Sequence, residues 1–230
     1  MMDLIVAPRC LLCRCELRRL QQPRLCRECR RSIQTIPDAA CTRCRLPFTA
    51  SEEPAHRCHH CLEVGHFRQL YCVGLYEGTL SDLIKLLKFS QRLDVAPTLG
   101  QLLSDHRDVQ TSLSHYDCVI PVPLHRKALA ERGFNQALLI AQRFARAHRL
   151  RLDRFGLRRY LPTLSQVGRT RQQRLENVKK AFRATRSYHG EVCLLIDDVF
   201  TTGATAEDCA RTLRDAGAMA VDVLTVARTV

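Results

Sequence analysis

Eight of the 13 cysteines stand in four pairs of one spacing: Cys10/Cys13, Cys26/Cys29, Cys41/Cys44 and Cys58/Cys61. A Cys-x-x-Cys pair sets two thiolates on one side of a tight knuckle, about 2.3 Å from a shared tetrahedral zinc, and two knuckles complete the shell. Twelve residues separate the first two pairs and thirteen the last two, enough for a short hairpin in each half. The spacing therefore predicts two zinc ions. They are held either sequentially, as Cys10-Cys13-Cys26-Cys29 and Cys41-Cys44-Cys58-Cys61, or cross-braced, with pair one joined to three and pair two to four. Disulfides belong to oxidising compartments, and Met1 to Val6 carries no basic segment ahead of an apolar core of signal-peptide length. Residues 1–65 hold few large apolar side chains, so metal binding is expected to supply much of their folding free energy. Cys15 falls outside the spacing and reads as a spare thiol. His56, His59, His60 and His66 read as surface residues, and Cys72, Cys118, Cys193 and Cys209 as small core residues.

A second chemistry lies near the other end. The apolar run Val192 to Ile196 is followed by Asp197-Asp198 and then by Thr201-Thr202-Gly203-Ala204-Thr205. A strand apolar on both faces is a buried parallel strand, here expected to deliver two carboxylates to its end. The Thr/Gly loop opens a helix whose backbone N–H groups and dipole favour a phosphate. The carboxylates suit ribose hydroxyls and a hydrated Mg²⁺. Neither a Walker loop nor a Gly-x-Gly-x-x-Gly fingerprint occurs.

Alternating elements must position these groups. Leu70 to Tyr76 reads as a strand, and Leu80, Leu83, Ile84 and Leu87 recur at helical spacing. A helix near Pro97 to His106, a strand from Asp117 to Pro121, a basic loop, and a helix from Phe134 to His148 with Phe134, Leu138, Ala141 and Ala145 on one face come next. After the acidic strand, Ala206, Cys209, Ala210 and Leu213 form a stripe, Gly217 ends that helix, and Met219 to Ala227 is a final strand. This order predicts an α/β layer with a mostly parallel sheet flanked by helices and ligands at the strands' carboxyl ends. The expected division is a cysteine-rich module over 1–65 and the α/β domain over 66–230.

The 230 residues are 46% hydrophobic and 26% charged, which suits a folded protein. Charge-free stretches run about ten residues, as in Gly133 to Gln142, far short of the ~20 that a membrane helix needs. A cytoplasmic location without membrane insertion is expected. The net charge of +13 is concentrated: residues 122–186 carry 17 basic and 3 acidic side chains. Such a segment attracts phosphorylated small molecules or a nucleic-acid backbone.

The segment Val192 to Thr205 resembles the 5-phosphoribosyl 1-pyrophosphate (PRPP) motif of type I phosphoribosyltransferases. Pro121-Val122-Pro123-Leu124, Arg132-Gly133-Phe134-Asn135-Gln136, Gln166 to Arg174 and Asn177 to Phe182 are similar to the ComF family of competence-associated proteins, GntX-like DNA-utilisation proteins among them. Tandem Cys-x-x-Cys pairs ahead of a transferase-like domain also belong to that family. The resemblance implies that Asp197 and Asp198 hold the ribose hydroxyls and that Thr201, Thr202, Gly203, Ala204 and Thr205 hold the 5-phosphate. It places Arg126 and Lys127 at the pyrophosphate of PRPP bound with Mg²⁺. Tyr160 to Lys180, with Arg169, Arg171 and Arg174, takes the place of a basic hood that in those enzymes closes over the site. Asn135 and Gln136 read as the start of their helix. Three readings stay open: a phosphoribosyltransferase with an unidentified acceptor, a PRPP-binding protein of DNA uptake that contacts single-stranded DNA, and an adaptor whose zinc module docks a protein partner of the uptake apparatus.

Overall fold

The computed structural model describes residues 7–19, 22–48, 56–63, 65–160 and 181–230. Two short helices belong to the cysteine-rich region, α1 (Arg27–Arg31) and α2 (His59–Glu63). There follow β1 (Leu70–Leu75), α3 (Gly78–Phe89), α4 (Ala96–Ser104), α5 (Arg107–Ser112) and β2 (Cys118–Pro121). The second half holds α6 (Arg126–Arg132), α7 (Gln136–His148), β3 (Leu157–Arg159), β4 (Phe182–Ala184), β5 (Val192–Phe200), α8 (Ala204–Asp215) and β6 (Ala220–Arg228).

Four strands form one sheet in the order β1-β6-β5-β2, every pair parallel. Leu152 adds a parallel bridge to Val119 on the outer side of β2. From β2 the chain therefore winds outward through α7, whereas from β5 it winds through α8 to β6, the other way. The reversal falls between β2 and β5, and in open α/β sheets ligands bind at such a switch point, outside the strands' carboxyl ends.

Alternation along the strands builds two cores. Val119, Leu194, Ile196, Leu224 and Val226 face α3, α4 and α7, where Leu80, Leu83, Ile84 and Leu87 are all fully buried. Cys118, Ile120, Cys193, Leu195, Val221 and Val223 face α8 with Cys209, Ala210 and Leu213. The first cysteine group joins the former core and the second joins the latter, so the two ribbons cover opposite faces of one sheet. The connector between them shields the sheet edge: Leu75 N–H donates to the Gln34 carbonyl at 2.8 Å. At Gly74 a Cβ would meet that same oxygen at 2.3 Å, so only glycine admits the approach.

Several elements differ from the expectations. The acidic strand does not stop at Ile196 but pairs with β6 as far as Phe200. The basic loop after β2 contains the helix α6, which Gly133 closes in the left-handed conformation. The buried stripe of α7 is Ala137, Ile140, Ala141, Phe144 and Ala145, leaving Phe134 and Leu138 half-buried, because the helix meets the sheet one position round from the expected face. The antiparallel pair of β3 and β4 lies outside the expectations, because three-residue strands carry too few alternations to register as a period.

Candidate functional site

The cysteines assemble sequentially. Within Cys10, Cys13, Cys26 and Cys29, and within Cys41, Cys44, Cys58 and Cys61, all four sulfurs lie within 4.8 Å of one another. Zn–S bonds of about 2.3 Å give tetrahedral S–S edges of ~3.8 Å, and the Cys44–Cys58 separation is 3.7 Å and Cys13–Cys26 3.5 Å. The two centres repeat one construction. Arg9 bridges Glu16 and Ala40 bridges Pro47 in antiparallel fashion, and the residue after each first knuckle, Arg14 (φ 63°) and Arg45 (φ 56°), is left-handed. Backbone N–H groups aim at sulfur, Cys26 to Cys10 at 3.4 Å and Cys58 to Cys41 at 3.3 Å. Hydrogen bonds from its neighbours hold the Cys44 thiol down at about 4, while the Cys61 thiol is pushed up by its bond to Cys44 and by burial. Four crowded thiols cannot all ionise unless a cation shares the space, and Zn²⁺ meets that demand. The second centre is wholly buried; in the first, Cys13 is exposed, with the spare Cys15 sulfur 3.4 Å away. His56 stacks on Phe48 at 4.2 Å.

At the carboxyl end of the sheet the two aspartates part company, because consecutive strand residues face opposite sides. Asp198 is 3% exposed and forms an ion pair with Lys88 of α3. Its Oδ1 also accepts from Gln136 Nε2 at 3.2 Å, and Gln136 in turn accepts from Arg132 at 2.6 Å. Asp197 is half-buried and its Oδ1 accepts the Asp198 N–H at 2.8 Å. Burial and then the neighbouring Asp198 charge raise the Asp197 carboxyl well above the usual range. Burial also opposes ionisation of Asp198, but Lys88, Asp197 and Gln136 outweigh it and hold this carboxyl below its usual value.

Thr201 to Gly203 turn into α8 with Gly203 at φ 85° as N-cap, a residue with no side chain of its own to cap the helix. A Cβ at Gly203 would also lie 2.7 Å from the Phe200 ring. The Ala204 N–H donates to Thr202 Oγ1 at 3.4 Å, and the N–H groups that follow it, with the helix dipole, form the arrangement that binds anions. Asp197, Thr201, Gly203, Thr205, Val122 and Thr225 line a small pocket of about 30 Å³.

The double zinc ribbon domain family matches residues 1–62. Over 223 residues, 96% of both chains, the sequence is 35% identical to the DNA utilization protein YhgH of Escherichia coli O6:H1. It is 30% identical to competence protein F of Haemophilus influenzae, again over 96% of both chains. The chain belongs to this YhgH/competence protein F family. Competence protein ComFC of Bacillus subtilis is 29% identical over 84% of this chain and 79% of its own. Among solved structures, the glutamine PRPP amidotransferase from B. subtilis superposes with a TM-score of 0.43 at 22% identity, covering 62% of this chain and 30% of that one. A purine phosphoribosyltransferase from Pyrococcus horikoshii gives 0.35 at 14%, covering 61% and 87%.

In this YhgH/competence protein F relative, Arg126 and Lys127 open α6 and are exposed, with His125 Nδ1 accepting the Lys127 N–H at 3.3 Å. Asn135 caps α7, accepting from Ala137 and Leu138, as expected, and donates to the Val122 carbonyl at 3.0 Å. Arg169, Arg171 and Arg174 lie outside the described residues. A cavity of about 820 Å³ opens from Pro123, lined by Phe134, Phe155, Tyr160, Arg126, Arg154 and Arg158 among others. Sequence reasoning missed Lys88, whose polar head was hidden between the apolar positions of α3, and Phe155, which belongs to no periodic pattern; Tyr160 entered only as the first residue of the hood segment. No helix among the described residues is long and apolar enough to cross a membrane.

Proposed function

We propose that this family member binds PRPP with Mg²⁺ across the carboxyl ends of β2 and β5, and that it handles single-stranded DNA during DNA utilisation. The observation that carries the first half is the start of α8 behind Gly203, an N-cap without a side chain, next to a carboxylate pair at the sheet's switch point. The 5-phosphate lies on the amides of Thr201 to Thr205. Asp197, which lines the pocket, accepts from the ribose hydroxyls, while Asp198 steadies it from behind with its charge matched by Lys88. Bound with the pyrophosphate, Mg²⁺ would neutralise part of its charge, and Arg126 and Lys127 supply further counter-charge. Calorimetric titration with PRPP and Mg²⁺ should give saturable heat that Asp197→Asn abolishes; no heat in the parent would overturn the reading. Pyrophosphate release on adding free bases or single-stranded DNA would mark a transferase, and binding without release a sensor.

The 820 Å³ cavity favours the second half. Phe155 is 70% exposed and Tyr160 52% exposed, beside Arg126, Arg154 and Arg158. Exposed rings among arginines offer base stacking and phosphate neutralisation, the two needs of a single strand. Aromatic residues are only 6% of the chain, but the placement of Phe155 and Tyr160 in one basic cavity favours stacking.

A further inference from the structure

The knuckle Cys41-Thr42-Arg43-Cys44 and the loop Thr201 to Gly203 are joined by a buried block of side chains. Arg43, between two cysteine ligands, is 3% exposed. Its Nη2 donates to Glu207 Oε1 at 2.7 Å and to the Phe67 carbonyl at 2.7 Å, and its guanidinium lies 4.0 Å from the Phe67 ring centroid. Glu207 is in the first turn of α8; its N–H donates to the Gly203 carbonyl at 2.8 Å and its Oε2 accepts from His66 N–H at 2.9 Å. A second tie comes from Arg228, the last residue of β6 and the register partner of Phe200. Arg228 Nη1 donates to the Cys44 carbonyl at 2.6 Å, and its guanidinium stands 5.3 Å from the Phe200 ring. Phe200 packs edge-on against Phe67 at 5.9 Å and beneath Gly203. One arginine thus fastens the knuckle to the helix side of the loop and the other to its strand side.

Both ties originate in backbone that a metal would fix. Arg43 is flanked by two ligands, and the knuckle turns through Arg45 in the left-handed region, a conformation that is unfavourable without surrounding support. The first centre has other neighbours. Arg24 N–H donates to Thr98 at 3.1 Å, Arg30 pairs with Asp105 at 2.7 Å and Ser32 meets Thr79 at 2.8 Å, all on α3 and α4 or just after them.

We propose that the second zinc centre supports the phosphate loop, with Arg43 and Arg228 as positioning residues, so that zinc at this centre and an anion at the loop bind cooperatively while zinc at the first centre does not take part. The inference rests on the reading of Thr201 to Thr205 as an anion site. By reciprocity, a ligand that profits from an ordered loop must also tighten the metal that orders it.

The test follows zinc release from the full chain to a chromogenic chelator, with PRPP and Mg²⁺ as the probe. Zinc release from the second centre, isolated in Cys13→Ser, should slow by roughly tenfold at saturating PRPP. Release from the first centre, isolated in Cys44→Ser, should not change. Replacing Arg43 with Met and Glu207 with Leu together keeps the block filled. This paired variant should retain two zinc ions and lose the slowing, and Arg43→Lys should recover part of it. PRPP that binds by calorimetry yet leaves second-centre release unchanged, or a paired variant that behaves like the parent, would overturn the proposal. If PRPP gives no heat, the anion reading falls, and amide hydrogen exchange still decides the coupling. Removal of the second zinc should accelerate exchange at residues 200–207 by about tenfold or more and removal of the first should not; equal effects sink it.

Discussion

Asp198 depends on Lys88 because of burial: with the lysine removed, the carboxylate is a charge in a dry place. Lys88→Gln should therefore destabilise the fold by about 3 kcal/mol in urea unfolding, in the range for breaking a buried pair. Asp197 has the opposite sign. Its folded carboxyl is held above its unfolded value, so the stabilisation from its bound proton is full below the ordinary carboxylate range. That stabilisation is lost as pH rises from there toward the folded value. Asp197→Asn should accordingly raise stability at pH 7–8 and flatten the profile between pH 4 and 8 while abolishing PRPP binding. A variant less stable than the parent at pH 7–8 would show that the Asp197 charge is not costly. The pair was legible from sequence because two carboxylates interrupt an apolar run. Their division of labour was not, because the cation that divides them stands about 110 positions earlier.

At the scale of elements, the strand-loop-helix of β5 and α8 depends on one glycine for two separate reasons. Gly203 has φ 85°, and its missing Cβ makes room for Phe200. Gly203→Ala should cost about 2 kcal/mol and weaken PRPP binding more than tenfold, since ring and loop cannot both keep their places. Parent-like affinity in that variant would mean that the phosphate is held elsewhere. Long elements with clear periods were legible: Leu80, Leu83, Ile84 and Leu87 are buried as their spacing demands, and so are Ala206, Cys209, Ala210 and Leu213. The misreadings follow from the same rule. A strand apolar through Ile196 looks finished where its polar residues begin, although its backbone goes on pairing with β6 to Phe200. Short α6 lies in a basic stretch whose charge masks its helical phase.

For the whole molecule, the two ribbons and the sheet are one packed body in which each ribbon serves a different face, and the proposed strand would meet the basic excess carried by residues 122–186. Single-stranded binding gives log K against log salt a slope of about −0.7 per neutralised phosphate, so four or five contacts predict a slope near −3. Stacking and charge can then be separated in one groove. Arg154→Gln with Arg158→Gln should make the slope shallower by up to ~1.4, because each lost contact releases fewer counterions. Phe155→Ala with Tyr160→Ala should weaken binding by about 1–3 kcal/mol per stacked base and leave the slope where it was. Fluorescence anisotropy of a labelled oligonucleotide across low to moderate salt measures both quantities. Affinity indifferent to salt, or a ring variant that binds like the parent, would take the single strand out of this cavity. The basic segment would then be left to face the pyrophosphate alone.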